Sequence, residues 1–197
     1  FSWRTILFIT SALSLVSAYY FKALYPLAFG LIAITTWWGE QAEAWIQGKD
    51  IATSAIFAGL AFVALLFYLL GHLHEREIKW KRFALVYLVL GIISITGALF
   101  FFSSKPGLSV LEEMTKGVSF FGSWQITLSL FIFFVSLAGV SLYTVAKKLV
   151  SPFEFLAVLL LTLLFGVIAL LPQQSMFLGA GNYYSFYSGG QELSSSG

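Results

Sequence analysis

The sequence predicts an all-α integral membrane protein, a bundle of about six transmembrane helices arranged as three antiparallel hairpins. The chain is 59% hydrophobic and only 10% charged, with a mean hydropathy of +0.89. A soluble domain has about 45–50% apolar and about 25% charged residues. Apolar runs near the length of about 20 residues that crosses a bilayer recur between short polar turns. Most of the surface is therefore expected to face lipid.

Six apolar runs are predicted to span the membrane. They lie near residues 5–20, 26–38, 51–70, 83–102, 120–145 and 153–171. Pro26 opens span two because proline is favourable in the first turn of a helix. The polar continuation of span two, residues 39–47, is expected to stay helical beyond the bilayer.

The boundaries of the later spans follow from turn residues. Gly71 is predicted to close span three immediately before the two histidines, and residues 103–107 (SSKPG) stop span four. A short surface helix is predicted over residues 108–119. Residues 172–197, rich in Gly, Ser and Tyr, lack apolar periodicity and are predicted to form a C-terminal tail outside the bundle of residues 1–171.

The distribution of Lys and Arg predicts the topology, because cytoplasmic loops carry an excess of these residues. Six spans place seven cations on one face and four on the other. The seven are Lys22, Arg76, Lys79, Lys81, Arg82, Lys147 and Lys148, and the four are Arg4, Lys49, Lys105 and Lys116. We expect the basic loops to be cytoplasmic and both termini outside, in a bacterial inner membrane. The chain begins at Phe1 and not at Met, so we expect that residues before Phe1 are missing.

Residues 69–83 (LLGHLHEREIKWKRF) contain both histidines and the densest run of charge. His72 and His74, two positions apart, point about 200° apart on a helix and cannot clamp one metal ion. The simpler interpretation is that they interact with the dipole at the end of span three. The alternative is that one of them is a single axial ligand to haem or a pigment.

The cations of the same loop allow two interpretations. Arg76, Lys79, Lys81 and Arg82 either only fix the topology or contact anionic lipids, at about 1 kcal/mol for each cation near an acidic leaflet.

A second candidate site lies at the predicted outer end of span two. Glu40 and Glu43, at positions i and i+3, share one helix face, and Trp37, Trp38 and Trp45 flank them. Two carboxylates at an interface could bind a cation, whereas the simpler interpretation is a solvated helix end. These five residues form the predicted outer contact surface.

Several chemical functions lack a sequence signal. The absence of cysteine excludes disulfides and thiolate metal sites. The sequence has no phosphate-binding glycine loop, nucleophile elbow or zinc-protease motif. We therefore predict no catalytic residue, no metal site, no cofactor and no enzymatic activity. The net charge of +2 is too small to indicate a nucleic-acid partner.

Part of the chain resembles a known family. The segments that carry the likeness are residues 68–75 (YLLGHLHE), 83–91 (FALVYLVLG) and 96–100 (TGALF). In hydropathy and spacing, residues 37–143 are similar to bacterial multi-pass membrane proteins catalogued as domain of unknown function 2157. Members of that family are generally longer, with further spans. The family has no agreed activity, so the resemblance implies no site residues.

Three functions remain open from the sequence. The first is a structural or accessory subunit whose partners are the lipid bilayer and other membrane subunits. The second is a transporter or channel for a small uncharged or lipidic solute, which would use the hydroxyl-bearing faces of spans one and five. The third is a helper protein that binds haem or a pigment through His72 or His74.

Overall fold

The structure is a computed structural model that describes residues 2–47, 53–76, 79–114 and 123–170. All regular secondary structure in these ranges is α-helical, which confirms the predicted all-α class. The helices are α1 (Trp3–Phe21), α2 (Leu24–Ile46), α3 (Ser54–Glu75), α4 (Lys81–Ser103), α5 (Lys105–Met114), α6 (Trp124–Ala146) and α7 (Pro152–Leu170). The predicted tail, residues 172–197, lies outside the described residues.

Four of the described helices, α1, α3, α4 and α6, are long and apolar enough to cross a membrane. Helix α7 contains a shorter apolar stretch, Pro152–Ile168. Helix α2 has 23 residues and includes the polar continuation of span two, which is helical to Ile46 as predicted. The length and composition of these helices support a membrane-embedded protein.

Two predicted boundaries are wrong. Gly71 does not close span three, because α3 continues to Glu75 and includes both histidines. Gly71 is buried against α4, where an added Cβ would meet the Leu88 side chain at 2.5 Å. This packing outweighs the low helix propensity of glycine, about 1 kcal/mol below that of alanine. The short helix α5 begins at Lys105, before the predicted start, with Pro106 in its first turn.

Consecutive helices pair as hairpins in the first part of the bundle. Helices α1 and α2 pack along each other, and so do α3 and α4. Gly91 brings α4 against the backbone of α3, since an added Cβ would lie 2.8 Å from the amide nitrogen of Tyr68. Helices α6 and α7 contact each other much less than each contacts α3. The predicted arrangement of three antiparallel hairpins is therefore not confirmed for α6 and α7.

Helix α3 lies at the centre of the bundle, and α2 meets the other helices in two separate zones. In one zone Trp38 of α2 packs in a cluster with α3, α6 and α7. Its indole covers Gly59 and meets the ring of Phe133 edge-on, with centroids 5.1 Å apart. In the other zone Leu27 and Leu31 pack against the start of α4.

Three helix connections meet at one end of the bundle. The Arg76 guanidinium donates to the carbonyl oxygen of Lys147 at 2.8 Å, and the Tyr19 hydroxyl lies 3.2 Å from Nε2 of His74. We call this the basic end, because its connections carry Lys22, Arg76, Lys79, Lys81, Arg82, Lys147 and Lys148. The acidic end is the opposite one, where α2 ends with Glu40 and Glu43 and α3 begins.

Candidate functional site

A groove of about 300 Å³ lies between α2, α3 and α4, and Phe165 of α7 also lines it. Its floor is made by Ala61 and Ala64 of α3, both buried. Ile32 of α2, which is 53% exposed, and Ser94 of α4, also exposed, form its rims. The groove is therefore open at the side of the bundle, and its lining is mostly apolar. Its volume lies at the lower end of the range of about 300–1,000 Å³ that small-molecule pockets occupy.

The groove exists because the hairpins pack internally and leave space between them. The α1–α2 hairpin meets the other helices through the Leu27–Leu31 zone and the Trp38 zone, and the groove lies at the intervening residues of α2. Small alanine side chains on α3 do not fill this gap. Along α3 the lining runs from Phe57 to Phe67, a rise of about 15 Å at 1.5 Å per residue. That rise is about half of a hydrocarbon core of about 30 Å.

The groove continues into a wider cleft of about 560 Å³ at the acidic end. The two share four lining residues, Thr35, Thr36, Phe57 and Leu60. Glu40 and Glu43 line the cleft, as does Thr53, the residue before α3. The carboxylates thus stand at the mouth of an otherwise apolar groove.

The residues of the predicted outer contact surface separate in the structure. Glu40 is half-buried and Glu43 is exposed, and both reach the cleft. Trp37 and Trp45 are half-buried, and the Trp37 ring packs on Phe8 with centroids 4.7 Å apart. Trp38 is 6% exposed and belongs to the core, so it is not part of a contact surface. Trp37 faces α1 and Trp38 faces α3, because adjacent helical positions point about 100° apart.

His74 joins three helices at the basic end. Its Nδ1 lies 2.8 Å from the carbonyl oxygen of Leu70, which can only accept, so Nδ1 carries the hydrogen. Nε2 lies 3.2 Å from the Tyr19 hydroxyl, and the hydroxyl oxygens of Tyr19 and Tyr87 share a hydrogen bond at 2.9 Å. The imidazole also stacks on the Tyr87 ring, with centroids 5.0 Å apart. This tyrosine–histidine cluster fixes α1 and α4 to the end of α3.

His72 faces α7, on the other side of α3. Its Nδ1 lies 3.6 Å from a carboxylate oxygen of Glu75, and its ring meets Tyr68 edge-on at 4.8 Å between centroids. Nε2 is buried and has no hydrogen-bond partner among the residues that the structure describes. The Tyr68 hydroxyl donates to Oε1 of Glu154 at 3.3 Å. The two histidines therefore lie in separate clusters, as their spacing predicted.

Glu154 is a contact residue that sequence reasoning missed. Its Oε2 accepts from the backbone N–H of Ser151 at 2.7 Å, and the Ser151 hydroxyl accepts from the N–H of Glu154 at 3.2 Å. This is a reciprocal capping box at the start of α7. The sequence signal was present, since Ser followed three residues later by Glu just before an apolar run is typical of such a box.

The geometry of the histidines is not that of an open cofactor site. His74 uses both ring nitrogens in hydrogen bonds, and the free nitrogen of His72 is enclosed by protein atoms. Among the described residues, no group of three or more His, Cys, Asp or Glu side chains is arranged to hold a metal ion. A haem or pigment ligand at either position would require these contacts to rearrange.

The four cations of the predicted lipid-contact loop lie together at the basic end, and all are exposed. Arg76 bonds the carbonyl of Lys147, and the Lys79 ammonium lies 5.0 Å from the centroid of the Trp80 ring. Lys81 and Arg82 begin α4. Arg76 therefore also connects two helix ends, while the other three can face lipid headgroups.

The hydroxyls of spans one and five do not line the groove. In α1, Ser11 donates to the carbonyl of Phe8 at 2.8 Å and Ser14 to that of Pro26 at 2.8 Å. In α6, Thr144 donates to the carbonyl of Ser141 at 2.8 Å. These hydroxyls donate hydrogen bonds to backbone carbonyls. The groove, by contrast, is lined mainly by residues of α2, α3 and α4. A solute path along the hydroxyls of spans one and five stays a prediction.

Comparisons with protein-family models, with curated proteins and with solved structures gave no match for this chain. The resemblance to the domain of unknown function 2157 family stays a hypothesis.

Proposed function

We propose that this protein binds a lipidic solute, taken from the bilayer into the groove between α2, α3 and α4. The observation that carries the proposal is a side-opening apolar groove joined to a polar cleft at one end. An amphiphile has the same division, with an apolar chain and a polar head. The groove's rise along α3, about half of the hydrocarbon thickness, suits a chain from a single leaflet.

The proposal includes six transmembrane helices. Four helices, α1, α3, α4 and α6, meet the length and hydropathy requirement. Helix α2 connects α1 to α3, and α7 follows α6, so we add both to the spans. The basic end is cytoplasmic in this arrangement, since its seven cations satisfy the bias of Lys and Arg toward that side. The acidic cleft then opens at the outer leaflet of a bacterial inner membrane.

Retention of lipid by the purified protein tests this function. The protein is extracted in mild detergent, and native mass spectrometry counts the bound lipids. Ala98→Trp fills the groove from α4, whereas Gly97→Trp is the matched control, because a Cβ at Gly97 meets nothing within 4 Å. We expect Ala98→Trp to lose the bound lipid and Gly97→Trp to keep it.

The result that would overturn the proposal is equal lipid retention in both variants, or none in the wild type. Ser94→Trp provides a second obstruction of the groove if Ala98→Trp does not fold. Circular dichroism and gel filtration identify a misfolded variant.

A structural or accessory subunit is the second candidate function. Its support is an apolar cleft of about 200 Å³ between α6 and α7, lined by residues such as Leu137, Phe155 and Val158. Native mass spectrometry of the protein from its source membrane tests it. A stoichiometric partner chain would favour a subunit, and a monomer with bound lipid would favour the first proposal.

A further inference from the structure

We infer that the groove takes a single straight hydrocarbon chain whose length is limited by Phe67, an inference that rests on the proposed function. The observation that carries it is the shape of the groove, which is open at one end and closed at the other. At the acidic end the groove shares four lining residues with the wide cleft. At the opposite end Phe67 of α3 and Leu90 of α4 line it. A chain that enters from the cleft therefore ends against these two side chains.

The closed end is held in place by the Leu27–Leu31 zone. Phe67 and Leu90 both pack against this zone, which also contains the buried Tyr87. The Phe67 ring meets the Tyr87 ring edge-on, with centroids 6.0 Å apart, and Tyr87 is in turn stacked on His74. Packed interiors of this kind are dense and resist displacement. A chain end that reaches Phe67 therefore does not advance further toward the basic end.

The cross-section of the groove admits one chain. A volume of about 300 Å³ along a rise of about 15 Å gives a mean cross-section of about 20 Å². Carbon chains in contact lie about 4–4.5 Å apart, so each chain needs about 16–20 Å². Two chains side by side would need about twice the area of one. The second chain of a two-chain lipid therefore stays outside the groove.

The length of the groove corresponds to a limited number of carbons. Single bonds of about 1.52 Å at angles of about 111° advance an extended chain by about 1.25 Å per carbon. The rise of about 15 Å from Phe57 to Phe67 therefore holds about twelve carbons. A longer chain has to bend out through the side opening and loses contact with the floor at Ala61 and Ala64. The surrounding lipid is equally apolar, so the selection depends on these packing contacts.

Competition between chain lengths tests the limit. The delipidated protein in detergent is mixed with equal amounts of lysophosphatidylcholines, whose single saturated chains have about eight, twelve and sixteen carbons. Native mass spectrometry then measures the bound fraction of each. We expect the wild type to prefer the chain of about twelve carbons, the length that the groove holds.

Two variants should move the preferred length in opposite directions. Phe67→Ala opens about one helical turn beyond the closed end, about 5.4 Å or four carbons, and should raise the ratio of the longest to the middle chain about tenfold. Ala64→Leu fills the groove about 4.5 Å before Phe67 and should lower the ratio of the middle to the shortest chain about tenfold. A tenfold change corresponds to about 1.4 kcal/mol.

Phe131→Ala is the matched control, because it removes an exposed ring on α6 that does not line the groove. We expect it to keep the wild-type preference. Ala64→Leu tests the limit independently if Phe67→Ala does not fold, and circular dichroism identifies a misfolded variant.

The outcomes separate this inference from the proposed function. If Ala98→Trp abolishes binding but Phe67→Ala and Ala64→Leu keep the wild-type chain lengths, the groove binds lipid and the length limit at Phe67 is wrong. Equal binding of all three chains to the wild type, or an equal shift in Phe131→Ala, also overturns the limit. If Ala98→Trp leaves the binding of every chain unchanged, the proposed function fails as well.

Discussion

Replacing each histidine by phenylalanine should affect stability differently, with a loss only at His74. Both substitutions keep an aromatic ring, so His74→Phe can still stack on Tyr87 and His72→Phe can still meet Tyr68 edge-on. His74→Phe removes the hydrogen bonds to the Leu70 carbonyl and to the Tyr19 hydroxyl. At about 0.5–1.5 kcal/mol for each bond, we expect a loss of about 1–3 kcal/mol in the free energy of unfolding.

His72→Phe removes a buried nitrogen that has no partner in the described part of the chain. It also removes the 3.6 Å contact with Glu75, whose side chain is 56% exposed, and such exposed pairs contribute about 0–1 kcal/mol. An unsatisfied buried polar group costs about 1–3 kcal/mol. We therefore expect His72→Phe to leave the free energy of unfolding unchanged or to raise it.

The free energy of unfolding of both variants is measured by titrating the purified protein with a denaturing detergent and monitoring its circular dichroism. A double-mutant cycle between His74→Phe and Tyr19→Phe should give a coupling energy of about 0.5–1.5 kcal/mol, the contribution of their shared bond. The reasoning would be refuted if His72→Phe destabilised the protein as much as His74→Phe, or if the cycle gave no coupling.

The remaining predictions concern helix contacts and ends, and the same unfolding titration measures them. Gly91→Ala should destabilise the protein by about 1–3 kcal/mol, because the new Cβ meets the backbone of α3. The control Gly97→Ala, in open space, should stabilise it by up to about 1 kcal/mol. Similar values for both variants would contradict the close approach of α4 to α3. Lys22→Gly should stabilise by about 1 kcal/mol, since Lys22 has a left-handed φ of 53°, and a loss would show that its side chain matters more. Ser151→Ala should cost about 1 kcal/mol by removing half of the capping box of Glu154, and no change would argue against that cap.

The sequence predicted the helical class and most helix positions, because apolar runs and polar turns determine them locally. The end of α3 was wrong because Gly71 is held in the helix by contact with Leu88 of another helix, which no local pattern reports. The spacing of the histidines indicated that they point in different directions, and in the structure His74 contacts Tyr19 whereas His72 contacts Tyr68. It could not identify the partner of His74, since Tyr19 lies 55 residues away in the chain.

At the candidate site, too, the sequence indicated single residues but not the contacts between helices. Glu40 and Glu43 were singled out from their spacing and their tryptophan neighbours, but the groove beside them depends on the gap between two hairpins. Its alanine floor on α3 has no distinct signal, because alanine is common in packed membrane helices. Trp38 was placed on a surface because its type is typical of membrane interfaces, whereas the facing glycine on α3 accommodates it in the core.

The self-contained packing of the α1–α2 hairpin bears on how the protein is assembled during synthesis. Helices that contact each other more than the rest of the bundle can pair soon after insertion and dock later as a unit. Two chains divided between α2 and α3 and expressed together should then reassemble, with Trp38 entering the space beside Gly59 at the last step. Under the proposed function, a lipid that already lies beside α3 before the α1–α2 hairpin docks would be retained in the groove after docking.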